Sequence, residues 1–334
     1  MNQSKNLPIY RGFALFLFII FQVIFARAIA HEGHSWSTDY RAFASAKLMP
    51  LPVVPIEDPL FAINVDPAFL KQKLSELSGA LPTMIDGQSV RISERSSANG
   101  RLLARKFLTR EYQALGFAVS TQPYKKTLPP QQGENFIAEK VGTDPSKVFI
   151  VSSHMDSVVS VAGANDDGSG TIAALAIAKT LSQQSFRYTL RIVAFDQEEL
   201  GLVGSSFYVP TLNRMQVIGN IHMEMMGTNS RKDGAFHVID CNRADSMGFS
   251  EKIMQGVVSL NLPLQRVAAC TDRSDHAHFW KAQIGSVVIS ENFFGGDGDP
   301  CYHKACDIVD ARLDFNYMAN ITKALAYATG QFLQ

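Results

Sequence analysis

The stretch KVFIVSSHMDS, residues 147–157, ends an apolar run on a histidine and an aspartate. Residues 147–153 have the composition of a buried strand, and the segment at 169–184, SGTIAALAIAKTLSQQ, has a helical pattern. The same order recurs in YTLRIVAF at 188–195 and LVGSSFYVPTL at 202–212. This alternation predicts an α/β fold, with a mainly parallel central sheet and helices on both of its faces.

Further segments extend this pattern in both directions. The additional strand candidates are VIGNIHMEM, AFHVID and SVVIS. The additional helix candidates are PAFLKQKLSELSGAL and GRLLARKFLTREYQALG before the sheet, and MGFSEKIMQGVVSL and LDFNYMANITKALAYATGQFL after it. No internal repeat is visible, so we expect a single domain from residue 63 to 334 that carries the chemistry.

The charge balance excludes one class of partner. The chain has 334 residues, with 31 basic and 31 acidic ones, and 46% of its residues are hydrophobic. That apolar fraction suffices for a conventional core, and no run of lysine and arginine marks a site for a polyanion. We therefore expect no nucleic acid partner.

The N-terminus has the pattern of a secretory signal peptide. Lys5 and Arg11 precede the apolar run FALFLFIIFQVIFA, and RAIA follows with small residues spaced for cleavage after Ala28 or Ala30. The alternative is a membrane anchor, but a spanning helix needs about 20 apolar residues and Arg27 ends this run early. We predict a signal peptide at 1–30, an N-terminal extension or pro-segment at 31–62, and a secreted, monomeric protein without a membrane anchor after cleavage. We expect the mature protein to be extracellular, with the periplasm as the alternative location.

Acidic and imidazole side chains follow most of the predicted strands. They are His154, Asp156, Asp166 and Asp167, then Asp196, Glu198 and Glu199, then His222 and Glu224, and finally His303. Because strand ends of one parallel sheet share an edge, these residues can converge on one cleft. Nitrogen and oxygen ligands suit zinc, and the excess of carboxylates allows two ions with one bridging ligand. Any single strand-end aspartate is also explained as a helix cap or turn former.

Five motifs carry a resemblance to a known family. HMDSV, GANDDGSGT, FDQEELGLVGS, RSDH and CYHKACD, in this order and at these separations, resemble the secreted bacterial leucine aminopeptidase family of dizinc metallopeptidases, metallopeptidase family 28. The resemblance runs from about residue 64 to the C-terminus. It implies the zinc aminopeptidase type of α/β fold, two zinc ions per chain, and peptides with a free N-terminus as substrates.

The family pattern assigns the metal ligands residue by residue. It implies that His154 and Glu224 bind one zinc, that Glu199 and His303 bind the other, and that Asp166 bridges them. It also implies that Asp156 holds the ligand histidine and fixes its tautomer. The alternative for Asp156 is a turn cap.

The resemblance also implies three roles in catalysis. Glu198, beside the ligand Glu199, matches the general base that takes a proton from the metal-activated water. Tyr302 matches a hydroxyl that donates to the developing oxyanion, and Arg273 matches a residue that contacts the substrate. For Arg273, a structural ion pair is the alternative.

The chain departs from the family pattern at Glu224, where most relatives have aspartate. The longer side chain requires a strand set further back or a different binding mode, and His222, on the same side of the strand, is a fallback ligand. Carboxypeptidase and glutaminyl cyclase activity are alternatives on the same scaffold, and a binding module that has lost its metals is another.

The motif CYHKACD supplies two of the four cysteines. No second Cys/His pair at finger spacing completes a zinc finger, and cysteines of an exported chain are expected to be oxidised. We predict a disulfide between Cys301 and Cys306, which makes the loop around Tyr302 and His303 rigid. A second bond between Cys241 and Cys270 is left open, as is the choice between a specificity pocket and the core for Phe293 and Phe294.

Overall fold

A computed structural model describes residues 63–334, and its centre is an eight-stranded sheet. The strands are, in chain order, β1 Thr83–Ile85, β2 Gln88–Val90, β3 Ala118–Lys126, β4 Gln131–Lys140, β5 Val148–His154, β6 Thr189–Phe195, β7 Val217–Met223, β8 Ala235–Ile239, β9 Gln265–Val267 and β10 Ser286–Glu291. The spatial order is β3-β4-β6-β5-β7-β10-β8-β9, and β1 and β2 form a separate antiparallel pair.

The middle of the sheet is parallel and its flanks are mixed. Strands β6, β5, β7 and β10 run parallel to one another. The pairs β3–β4, β4–β6 and β10–β8 are antiparallel, while β8–β9 is parallel. The predicted α/β fold is confirmed. The hairpin of β3 and β4 was missed because most of its residues are exposed or half-buried and polar, so no apolar run marks it.

The helices are α1 Pro67–Leu77, α2 Ala98–Ala114, α3 Gly170–Leu181, α4 Val203–Tyr208, α5 Met247–Ser259, α6 His276–Lys281 and α7 Phe315–Phe332. Three of them begin at a residue whose side chain accepts a free backbone N–H, namely Asp66 for α1, Ser97 for α2 and Asp314 for α7. No helix within residues 63–334 is long and apolar enough to cross a bilayer.

Both faces of the sheet are covered, and β5 shows how. Its seven residues are all buried. Phe149 and Val151 belong to the larger core with α1, α2, α3, α5 and α7, whereas Val148 and Ile150 join a smaller core with residues of α4 and α6. Because successive side chains of a strand point to opposite faces, a strand covered on both sides is apolar throughout. The carboxyl ends of β5, β6 and β7 therefore emerge from a rigid base.

Candidate metal centre

The five predicted metal ligands meet at the carboxyl edge of the parallel strands. His154 is the last residue of β5 and Glu224 follows β7 directly. Glu199 lies on a single helical turn after β6, Asp166 lies on the loop between β5 and α3, and His303 lies on the loop after β10. Each ligand comes from a different segment, so the fold of the sheet and its connecting loops brings them together.

Asp166 lies between two histidine–carboxylate pairs. Its Oδ1 is 3.2 Å from Nε2 of His154, and its Oδ2 is 3.1 Å from Nε2 of His303. On the first side Glu224 Oε1 is 3.4 Å from His154 Nε2, and on the second Glu199 Oε2 is 3.2 Å from His303 Nε2. The arrangement has two halves, each with one imidazole and one carboxylate, and both halves share Asp166.

The chemistry of these donors fits zinc. His154, Asp166 and Glu199 each offer one ligand atom, and these atoms lie within 4.8 Å of one another. Oε1 of Glu199 is buried and has no hydrogen-bond partner among the described residues, which is unusual for a carboxylate oxygen unless a cation completes its surroundings. Nitrogen and carboxylate ligands at this spacing are those of zinc sites.

Burial and crowding disturb the protonation of the cluster. Burial raises the pKa of both Glu198 and Glu199. Burial would lower the pKa of His303, but its bonds to Asp166 and Glu199 outweigh this and raise it to about 10. A cluster with so many acids close together lacks positive charge, and bound cations would supply it.

Asp156 makes the contacts of both roles considered for it. Its Oδ1 lies 3.4 Å from Nδ1 of His154, on the side of the ring away from the cluster. Its two oxygens also accept the backbone N–H groups of Glu198 and Glu199, at 3.0 and 3.2 Å. This carboxylate therefore lies beside the imidazole and fixes the turn that carries the two glutamates.

His222 lies beside the cluster, with its Nε2 3.6 Å from Oε2 of Glu224. Its Nδ1 is 3.0 Å from Oγ of Ser152 and its Nε2 is 2.8 Å from Oγ of Ser274, so hydroxyl groups occupy both ring nitrogens. Ser274 donates in turn to Oε2 of Glu224 at 2.6 Å. The longer side chain of Glu224 is thus held on one oxygen by Ser274 while its other oxygen faces His154, and His222 as a fallback ligand stays a prediction.

Cys301 and Cys306 form a disulfide that encloses Tyr302 and His303, as the sequence predicts. The ring of Tyr302 stacks on that of His303 with centroids 3.8 Å apart. Asp307, the last residue of the motif, accepts the backbone N–H groups of Asn165 at 2.7 Å and Asp166 at 3.1 Å. This role was not predicted, although the residue stands in the quoted motif.

Glu291 is a second acid that sequence analysis missed. It ends β10 and is fully buried, and burial raises its pKa to about 8. Its Oε2 accepts Asn165 Nδ2 at 2.9 Å and Thr228 N at 2.7 Å, and its Oε1 accepts Asp299 N at 2.7 Å. It therefore joins the segments that carry Asp166, Glu224 and His303.

Arg95 holds the loop between His154 and Asp166. Its side chain is fully buried and donates to the carbonyl oxygens of Met155 and Gly163, both at 2.7 Å, and to that of Ala162. Gly163 has a φ of +61°, and a Cβ there would lie 2.8 Å from Nη2 of Arg95. The buried guanidinium group of Arg95 thus holds the loop through its backbone carbonyl groups. Gly163 has no side chain that would clash with it.

Two cavities adjoin the cluster. An open cleft of about 280 Å³ is lined by the acidic cluster and by Gly201, Leu202, Arg273 and Tyr302. The second cavity is smaller, about 50 Å³, and mostly apolar. Its apolar walls are Met225, Ile239, Val288, Phe293 and Phe294. Its polar lining residues are Glu224, Thr271, Arg273, Ser274, Ser290 and Tyr302. Both phenylalanines whose role was left open therefore line a cavity, and Arg273 and Tyr302 lie at both sites.

The second pair of cysteines is also bonded. Cys241 and Cys270 form a disulfide that joins the segment after β8 to the segment after β9. The adjacent residue Thr271 lines the apolar cavity. This bond therefore fixes one wall of that cavity, and the question that the sequence left open is answered.

Comparison with known sequences agrees with this geometry. The sequence model described as Peptidase family M28 matches residues 135–329. Leupeptin-inactivating enzyme 1 of Streptomyces exfoliatus is 32% identical over 239 residues, which cover 64% of this chain and 51% of the relative. Leucine aminopeptidase 2 of Arthroderma otae is 30% identical over 220 residues, 59% of this chain and 44% of the relative. This chain spans about half the length of these curated relatives.

Solved structures share the fold. A zinc aminopeptidase from Bacillus subtilis superposes with a TM-score of 0.70 at 16% identity, over 81% of this chain and 96% of the other. LapA aminopeptidase of Legionella pneumophila gives 0.66 at 20% identity, over 80% and 72%. A glutaminyl cyclase of Bacteroides thetaiotaomicron gives 0.63 at 16% identity, over 79% and 97%. At these identities the likeness concerns the fold.

Proposed function

Because the chain belongs to peptidase family M28, we propose that it is a secreted zinc aminopeptidase that hydrolyses N-terminal residues from peptides. The observation that carries the proposal is the position of Asp166 between the two histidine–carboxylate pairs. In this proposal His154 and Glu224 hold one zinc ion, Glu199 and His303 hold the second, and Asp166 binds both. Bound zinc would lower the pKa of a water molecule and polarise the scissile carbonyl group.

The residues around the cluster have separate tasks in the reaction. Glu198 accepts a proton from the attacking water and passes it to the leaving amine, and such proton transfer contributes about 10² to 10⁴ in rate. Asp156 supports this by holding the backbone of Glu198 and Glu199. Tyr302 donates its hydroxyl to the oxygen that gains negative charge. Arg273 contacts the bound substrate from its position between the two cavities.

The apolar cavity beside Glu224 receives the side chain of the N-terminal residue. Its walls of Met225, Val288 and Phe293 suit an aliphatic or similar apolar side chain. The name leucine aminopeptidase, which several relatives carry, supports the same preference. In this placement the amino group of a free N-terminus lies beside the proposed metal cluster.

Two disulfides within residues 63–334 support the proposed secretion, since such bonds persist in oxidising compartments. The signal-like segment at 1–30 and the extension at 31–62 lie outside the described residues and stay predictions. The monomeric state is likewise a prediction, which analytical ultracentrifugation tests.

The two rival functions are a glutaminyl cyclase and a binding module without metal. The glutaminyl cyclase in the structural comparison shows that this fold accommodates another reaction. The two complete halves around Asp166 favour hydrolysis with two ions over a single-zinc reaction. A binding module that has lost its metals predicts missing ligands, whereas all five predicted positions hold histidine or a carboxylate.

Substrate choice distinguishes these functions. The purified zinc-loaded chain should hydrolyse leucine p-nitroanilide and a leucyl peptide, and it should leave N-acetyl-leucine p-nitroanilide intact. A glutaminyl peptide should not cyclise. Turnover of the blocked substrate without turnover of the free amine would overturn the proposal, and so would bound zinc without any hydrolysis.

A further inference from the structure

We propose, on the basis of the proposed function, that the β3–β4 hairpin is a second substrate-binding element, in which Lys126 binds a carboxylate of the peptide beyond the scissile bond. The carboxylate is supplied by the peptide's C-terminus or by an acidic side chain. The inference rests on the direction of the cleft, the length of the hairpin and the surroundings of this lysine.

The order of the strands gives the direction of the bound peptide. The apolar cavity lies beside β7, β10 and β8, since Met225, Val288 and Ile239 line it. The open cleft extends towards β6, where Gly201 and Leu202 line it. A peptide with its first side chain in the cavity therefore runs across the ends of β5 and β6 towards β4 and β3.

The hairpin extends beyond the sheet on this side. Strand β4 pairs with β6 from Lys140, opposite Leu190, to Phe136, opposite Ala194. Residues 131–135 pair with β3 alone. Because β4 and β6 are antiparallel, these residues lie past the carboxyl end of β6, and at ~3.4 Å per residue they reach roughly 17 Å beyond Ala194.

The hairpin is packed firmly against the turn that carries Glu198. The hydroxyl of Tyr124 donates to the carbonyl oxygen of Asp196 at 2.9 Å, and its ring stacks on Phe207 of α4 at 5.1 Å. Gly133 of β4 lies so close that a Cβ there would be 2.5 Å from Oδ2 of Asp196. The hairpin is therefore a fixed wall beside the catalytic turn.

Strand alternation places the two lysines of the hairpin on opposite faces. Tyr124 faces α4 and the catalytic turn, so Lys126, two residues further on, shares that face and Lys125 points away from it. Lys126 is half-buried whereas Lys125 is exposed. Lys126 is thus on the same face of the hairpin as Tyr124, which contacts the turn that carries Glu198.

Lys126 lacks a partner among residues 63–334. No ion pair or side-chain hydrogen bond involves it, in contrast to Arg101 and Arg105 nearby, which pair with Asp196. Its cross-strand neighbour Gln131 has a buried Oε1 that also has no hydrogen-bond partner there. Oε1 of Gln131 is an acceptor and needs a donor, so the half-buried ammonium group of Lys126 is the group here that can bind an external carboxylate.

The charges of the cleft and the hairpin complement those of a short peptide. The proposed metal cluster takes up the free N-terminus at one end, and Lys126 attracts the carboxylate at the other. An extended peptide rises ~3.4 Å per residue, so the carboxylate of about the third residue after the scissile bond comes within reach of a lysine side chain. Tetrapeptides with an apolar first residue are therefore the preferred class.

The test compares Lys126→Met with Lys125→Met, a change of the same kind on the opposite face. The substrates are Leu-Gly-Gly-Gly, its C-terminal amide, the amide of Leu-Gly-Gly-Glu and leucine p-nitroanilide. We expect wild-type enzyme to prefer the free carboxylate over the amide, and Lys126→Met to lower kcat/KM for that peptide about 3–5-fold through KM, as for a partly exposed ion pair. For Lys126→Met, kcat/KM on the Leu-Gly-Gly-Gly amide and on leucine p-nitroanilide should be unchanged. For Lys125→Met, kcat/KM should be unchanged on every substrate.

The remaining outcomes separate the possible errors. If Lys126→Met also lowers kcat/KM on the amide of Leu-Gly-Gly-Glu, the lysine binds side-chain carboxylates as well. The proposal then holds in that form. Equal kcat/KM for acid and amide peptides in wild-type enzyme, or an equal loss on all substrates in Lys126→Met, would overturn the hairpin proposal alone. A wild-type enzyme that hydrolyses none of the four would overturn the aminopeptidase proposal and this one with it.

Discussion

The carboxylate of Asp307 accepts the backbone N–H of Asp166 at 3.1 Å, so the loop that carries His303 also holds the residue shared by both halves of the cluster. A second bond from Asn165 at 2.7 Å strengthens this connection. Two proposed ligands from distant parts of the chain are thus fixed relative to each other by an acid outside the proposed ligand set. Their relative placement is therefore part of the fold.

Replacing Asp307 by alanine should weaken zinc binding. The change leaves two buried N–H groups without an acceptor and releases the Asp166 loop, and loss of such outer contacts typically costs 10- to 100-fold in metal affinity. Competition with a chromogenic chelator measures the affinity. Asp310→Ala is the control, because Asp310 is exposed and its hydrogen bonds run to Arg312. Equal zinc affinity in Asp307→Ala and wild type would show that the connection is unimportant.

Glu198→Gln should separate catalysis from metal binding. The amide cannot accept the proton of the water, so kcat should fall by at least about 10²-fold while the zinc content stays unchanged. The adjacent change Glu199→Gln should instead reduce zinc content, since Glu199 faces His303. Metal analysis and steady-state kinetics on both variants check this. Activity of Glu198→Gln within tenfold of wild type would mean that another residue is the base.

Sequence and structure agree best where local pattern and position coincide. The buried strand at 147–153 and the residues after it were predicted because its apolar centre and a strand-end histidine are both visible locally. Arg95 and Glu291 were missed because most of their partners are backbone atoms of segments far along the chain, 60 or more residues away for the bonds from Arg95. Nothing in the neighbouring sequence encodes such partners, and only the packed fold shows them.

The departure at Glu224 can be tested by restoring the shorter acid. Glu224 reaches both Ser274, at 2.6 Å, and the vicinity of His154, at 3.4 Å. Aspartate is one methylene shorter and cannot keep both contacts in this backbone. Glu224→Asp should therefore lower the zinc content from two ions towards one, with a corresponding loss of kcat. Ser274→Ala, which keeps the ligand and removes only its hydroxyl partner, should have the smaller effect.

The two disulfides should differ in their effect on activity. The Cys301–Cys306 bond closes a small loop, so it adds little to the free energy of unfolding but holds His303 and Tyr302 in place. The double change Cys301→Ser and Cys306→Ser should lower zinc affinity and kcat while the thermal midpoint changes by only a few degrees. The matched double change at Cys241 and Cys270 opens a loop of sequence separation 29 and should lower the thermal midpoint more.

In a titration of the wild-type chain with reductant, activity should fall at a lower reductant concentration than the near-UV circular dichroism signal of the core. Loss of both at one reductant concentration would show that the small loop is needed for folding itself.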